Sequence, residues 1–113
     1  MARIVVIEPH VEVRDLLLRV AGRLGHEAVA YETEADLASA DVVLVEPAAP
    51  GSLEAAQAAR ELGAPIVCIS IFPASDETRA LDPVAHLHKP FALVDLEHAL
   101  VGALARRKPL TAA

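Results

Sequence analysis

Glu8, Glu46 and Ser70 share a sequence setting: each stands directly after a run of apolar residues. The runs are Arg3 to Ile7, Asp41 to Val45 and Ile66 to Ile69. A near-continuous apolar run of this length is the pattern of a strand buried on both faces. In open parallel α/β sheets, chemistry sits just beyond the carboxyl ends of the strands. Two carboxylates and a hydroxyl gathered there make a site, or what is left of one.

The segments that must position these residues alternate in type. Val13, Leu16, Leu17, Val20 and Leu24 recur at helical spacing over residues 11–24, and Gly25 follows as a stop. Residues 27–31 read as a short strand. Thr33 is a plausible N-cap for a short helix from Glu34 to about Ser39. Ser52 is expected to cap a helix over residues 53–62 that Gly63 ends. Residues 75–81 give at best two turns of helix. From Ala92, the positions Leu93, Leu96, Leu100 and Leu104 describe a final amphipathic helix to about Arg106. The order is (βα)5. It predicts a doubly wound, flavodoxin-like three-layer sandwich with a five-stranded parallel sheet and right-handed crossovers. One domain over residues 1–107 is expected, with residues 108–113 as a tail or the start of a linker.

Composition narrows the classes. The 113 residues are 54% hydrophobic but only 3% aromatic, so the core is expected to be built from Ala, Val and Leu, and a binding surface of stacked rings is not expected. Ten Lys and Arg against sixteen Asp and Glu give a formal charge of −6, which argues against direct nucleic-acid binding. No apolar stretch has membrane-spanning length. The chain enters its first strand at once, leaving no room for a signal peptide, and a cytoplasmic location is expected. Cys68, the single cysteine, lies in an apolar run and reads as an inert core residue.

In order along the chain, four features resemble the receiver domain of response regulators. Glu46, three residues, then Pro50 and Gly51 resembles the family's phospho-accepting Asp followed by Pro-Gly. Pro65 to Ser70 resembles its fourth strand, which ends in Thr or Ser. His88, Lys89, Pro90 and Phe91 resemble its Lys-Pro-Phe signature. Glu8 and Pro9 stand where the family has an acidic pair. The match spans essentially the whole chain. It implies Ser70 and Lys89 as switch-type positions, Glu46 as the acceptor-equivalent, and His86 in the place of a switching aromatic.

The departures imply loss of the usual chemistry. Pro9 replaces a metal ligand, so Glu8 and Glu46 remain as at most a weak metal pair, and no cofactor is expected; Mg²⁺ wants near-octahedral oxygen geometry and dehydrates reluctantly. Glu46 extends its oxygens roughly 1.5 Å further than an Asp would, about one C–C bond. A displacement of about 1 Å can cost on the order of 100-fold in rate. Ile71 takes the place of a small residue, and Ile71 and Phe72 are expected to fill the space above the strand ends. The chain is also short around the second helix, the loop after Gly51 and the fourth helix.

Two readings of Glu46 follow: a permanent stand-in for a phosphorylated Asp that pairs with Lys89 and reaches the Ser70 hydroxyl, or a residual ion pair with Lys89. The resemblance thus implies a non-enzymatic, divergent receiver acting in two-component-type signal transduction by protein–protein contact, without the usual Asp phosphorylation. Its partners would be a histidine kinase, an output domain, or a second copy through the fifth strand and last helix, around His86 to Leu100. The alternatives are a receiver phosphorylated on Glu46 or another carboxylate, and a small ligand-binding or enzymatic flavodoxin-like domain with a pocket at the strand ends.

Other sequence features point to less. His86 and His88 share one face of a strand, but no third zinc ligand lies nearby. Glu8, Pro9 and His10 fail the cobalamin-type Asp-x-His-x-x-Gly motif, because Val13 stands where Gly is needed. The five glycines form neither a dinucleotide fingerprint nor a P-loop. Arg106, Arg107 and Lys108 suit the negative end of a helix dipole.

Overall fold

A computed structural model describes residues 1–107. The suggested tail or linker at 108–113 lies outside the described residues. Five strands, β1 (Arg3–Ile7), β2 (Glu27–Ala30), β3 (Val42–Val45), β4 (Ile66–Ser70) and β5 (Ala85–His88), alternate with five helices, α1 (Val11–Arg23), α2 (Glu34–Ala38), α3 (Ser52–Glu61), α4 (Asp76–Arg79) and α5 (Leu93–Arg106). The sheet is parallel throughout, in the order β2-β1-β3-β4-β5. The predicted (βα)5 flavodoxin-like architecture is the observed one.

Side chains alternate between the faces of a strand, and this period of two divides the core. Ile4, Val6, Val42, Leu44, Val67 and Ile69 face α1 and α5, where Leu17, Ala21, Leu96, Leu100 and Ala103 meet them. Val5, Ile7, Val43, Val45, Ile66 and Cys68 face the other way, against Leu37 of α2 and Ala55, Ala56 and Ala59 of α3. Three small residues on α3 let that helix lie close to the sheet, in keeping with a core that has few rings. Burial pushes the Cys68 thiol up to about 11, with the negative charge of Glu46 adding to the effect, so the thiol stays protonated and unreactive at neutral pH.

Helix boundaries follow the sequence with one local correction. Thr33 does stand at the N-cap of α2; its N–H and that of Glu32 are bound by the Asp36 carboxylate. Ser52 is not the cap of α3. Gly51 holds that position in the left-handed region, at φ 77°, and Ser52 is the first helical residue. The turn from β3 requires the positive φ that Gly adopts without a Cβ penalty, and this moves the helix start one residue beyond the glycine. The fourth helix is a single turn. Ser75 caps it, exchanging hydrogen bonds with Thr78 in both directions.

Candidate functional site

Register brings the polar strand ends together. Ile7 pairs with Val45 and Ser70 with His88, so Glu8 and Glu46 leave adjacent strands, and Lys89 leaves β5, beyond β4, at the same end of the sheet. The Lys89 ammonium donates to Glu8 Oε1 at 2.6 Å and to Glu46 Oε1 at 3.1 Å. The remaining oxygens are also engaged. Glu8 Oε2 accepts the His10 N–H at 3.2 Å, and Glu46 Oε2 accepts the Ala48 N–H at 3.2 Å. The side chains of Glu8, Glu46 and Lys89 are 2%, 10% and 16% exposed. This is a closed carboxylate–ammonium–carboxylate bridge, and it is held by the backbone as well as by its own charges.

Burial alone would pull the Lys89 pKa down. The hydrogen bonds and charges of Glu8 and Glu46 outweigh that, and the group is held above the ordinary lysine value. Lys89 therefore stays charged. The bridge keeps one net negative charge, because two carboxylates share a single ammonium.

The expected Glu46–Lys89 pair is present, and Glu8 joins it with the shorter contact. The expected reach of Glu46 to Ser70 is not made. The Ser70 oxygen instead accepts the Phe72 N–H at 3.1 Å, which turns the hydroxyl into a local clasp on the loop after β4. Ile71 and Phe72 do not crowd the strand ends either: each is 57% exposed. Strand alternation ends at Ser70, and the Ser70 clasp opens a turn that points both side chains outward. His86 lies apart from the bridge, with Nε2 meeting the Phe72 carbonyl at 3.0 Å. Pro9 is exposed and adds no ligand.

The residues present do not fit a divalent cation of the kind expected at such strand ends. The donor set is two carboxylates whose four oxygens already bind Lys89 and two backbone N–H groups. Pro9 supplies no oxygen from its side chain, and among the described residues no three His, Cys, Asp or Glu gather as ligands. Lys89 stands where the two carboxylates converge.

Sequence reasoning missed the surroundings of Glu8. A cavity of about 430 Å³ opens between the loop after β1, the end of β2 and the start of α3. Arg14 and Tyr31 line it, as do Glu8 and Ser52. Arg14 sits in the first turn of α1 and Tyr31 directly follows β2, so both stand at the carboxyl end of the sheet. That placement was the available signal.

No family model matches the chain, and no curated protein does. Solved structures do. Chemotaxis protein CheY4 of Vibrio cholerae superposes with a TM-score of 0.77 at 20% identity, over 92% of this chain and 99% of its own. The receiver domain of HemR from Leptospira biflexa gives a TM-score of 0.78 at 14% identity, over 98% and 100%. The signal receiver domain of a modulated diguanylate cyclase from Desulfovibrio desulfuricans G20 gives 0.76 at 18%, over 93% and 94%. With its strand order, its length and the placement of its polar strand ends, the chain has the fold of the response-regulator receiver domains.

Proposed function

We propose that this domain is a receiver-type signalling module that works by protein–protein contact and carries a permanent charge bridge in place of a phosphorylation centre. One observation carries the reading: Lys89 Nζ lies 2.6 Å from Glu8 and 3.1 Å from Glu46, where the two carboxylates converge. Phosphoryl transfer needs an accessible, in-line nucleophile and cations that neutralise the incoming charge. Glu46 is mostly covered, both of its oxygens are bound, and the nearest cation is already shared by two carboxylates. The module is thereby held in one state, and its partner reads shape and surface rather than a change of charge.

The contact face follows from what is left uncovered. Val94 and Val101 of α5, seven residues apart and so on one side of the helix, are 52% and 63% exposed. Ile71 and Phe72 add exposed apolar surface after β4. A partner protein, either an output domain or a second copy, fits such a surface better than nucleic acid does on a chain of net charge −6.

The test is intact-mass measurement after incubation with Mg²⁺ and acetyl phosphate. The unmodified mass is expected. Addition of one phosphoryl group to the native chain, lost in Glu46→Ala, would overturn the proposal and establish a working phospho-acceptor.

A further inference from the structure

A second surface lies away from the charge bridge, between α3 and α4. Leu53, Gln57 and Ala58 of α3 face it at helical spacing, and Ala80 and Leu81 close it on the α4 side. Because α4 is a single turn and Ala58 and Ala80 are small, the two helices do not meet, and a hollow of about 500 Å³ stays open between them. A neighbouring hollow of about 320 Å³ shares Leu53 and Glu77 with the first and carries the trough on to Phe72 and Pro73 in the loop after β4. The charges around it are one-sided. Both arginines of this stretch are taken: Arg60 pairs with Asp82 at 3.1 Å and Arg79 with Asp76 at 3.2 Å. The acids of residues 52–82 left without a cation, among the described residues, are Glu54, Glu61 and Glu77, and all three line the hollow. An apolar trough is thus rimmed by uncompensated carboxylates, which repel nucleic acid and attract cations.

We propose that this trough docks a basic amphipathic helix of a partner protein, with the apolar stripe of that helix over Leu53, Ala58 and Leu81 and its Lys or Arg side chains against Glu54, Glu61 and Glu77. Shape selects a helix. The trough follows α3 from Leu53 to Glu61, about 12 Å at the rise of an α-helix, which is two turns of a partner lying alongside. Helices held in grooves are read through apolar anchors at i, i+3 or i+4, and i+7. Glu54 and Glu61 stand seven residues apart on one side of α3, so cations seven apart on the partner meet both. Charge selects the partner's polar face. Lys and Arg lay their apolar stems along a hydrophobic rim while their heads reach its carboxylates. A second copy of the chain is a poor occupant, because its long helices mix signs: α1 carries Glu12 and Asp15 beside its arginines, and α5 carries Asp95 and Glu97. The trough is a different surface from Val94 and Val101 on α5, and its use does not depend on the state of Glu46.

The experiment is a titration of the full chain, followed by amide resonances, with a synthetic leucine–lysine peptide of about four helical turns whose leucines share one face. A scrambled peptide of the same composition is the control. Saturable one-to-one shifts are expected at Gln57, Glu61, Glu77 and Ala80, with the scrambled peptide about tenfold weaker. Glu54→Lys combined with Glu77→Lys turns two attractions into repulsions and is expected to weaken binding about tenfold. Glu12→Lys combined with Glu97→Lys changes the net charge equally but lies outside the trough, and less than about a twofold effect is expected. All four positions are exposed, so both variants are expected to fold; undisturbed core resonances check this. The proposal is overturned if no saturable shifts appear, if they centre on α5, if the scrambled peptide binds as tightly, or if the two double variants weaken binding alike. Concentration-dependent shifts of the same amides in the free chain would assign the trough to a second copy and overturn it as well.

Discussion

Taking away the Lys89 ammonium would leave two carboxylates buried at one point with two backbone N–H groups as their remaining partners. Removing one partner of a buried charge cluster is costly because the other charges stay behind, so Lys89→Met is expected to lose about 3 kcal/mol or more of stability. Glu46→Gln keeps the shape of the side chain and leaves Lys89 with Glu8; about 1 kcal/mol is expected. Urea unfolding of the two variants against the native chain checks the ranking. The pH dependence follows from the raised Lys89 pKa. A group whose pKa is higher folded than unfolded contributes fully below its unfolded value and loses that contribution as pH rises through the folded one. Native stability is therefore expected to hold this contribution up to about pH 10, near the unfolded lysine value, and to lose it as pH rises further, a loss absent in Lys89→Met. At this scale the sequence was informative about which residues matter and less so about how they meet. Glu8 and Glu46 were legible because each follows an apolar run, and Lys89 because it stands in a Lys-Pro-Phe signature after a short strand. That Ser70 would turn to the Phe72 N–H rather than to Glu46 was not, since a hydroxyl bonds to whatever the local turn offers.

The elements transmit this geometry through a few local decisions. Gly51 in the left-handed region ends the loop after Glu46 and begins α3, which places Ser52 on the cavity wall. An added Cβ would meet no neighbour there, so the cost of Gly51→Ala is backbone strain alone, on the order of 1 kcal/mol. A lowered thermal midpoint, with hydrogen-exchange protection lost first at the start of α3, is the expected outcome. Equal protection along α3 in both proteins would contradict it. Strands and helices were readable because near-continuous apolar runs give way to apolar residues at helical spacing at each boundary. The cap of α3 was misplaced for a physical reason: serine and glycine adjoin, and only the required φ decides which one the helix begins after. The outward turn of Ile71 and Phe72 escaped the sequence in the same way, because alternation predicts direction only while the strand lasts.

Across the whole molecule, the division of the core into two faces explains why so regular a fold needs so few rings. Val, Ile, Leu and Ala fill both sides of the sheet, and the polar residues are displaced to its ends. The same topology gathers the charge bridge and the cavity at one end, on either side of Glu8. On the proposed reading, the Lys89 ammonium at the point where the carboxylates converge takes the place of a divalent cation, and indifference to such cations is the expected global property. Binding to the folded state alone raises stability: a site with Kd of about 1 mM, filled from about 10 mM Mg²⁺, would add about 1.4 kcal/mol. For a domain of this size that is an upward shift of roughly 5 °C in Tm. The most direct test is therefore the Tm of the native chain in MgCl₂ against NaCl of equal ionic strength, with Lys89→Ala alongside. The account predicts no Mg²⁺-specific shift for the native chain, and an upward shift once the ammonium no longer neutralises Glu8 and Glu46. A Mg²⁺-specific stabilisation of the native chain by several degrees would contradict it.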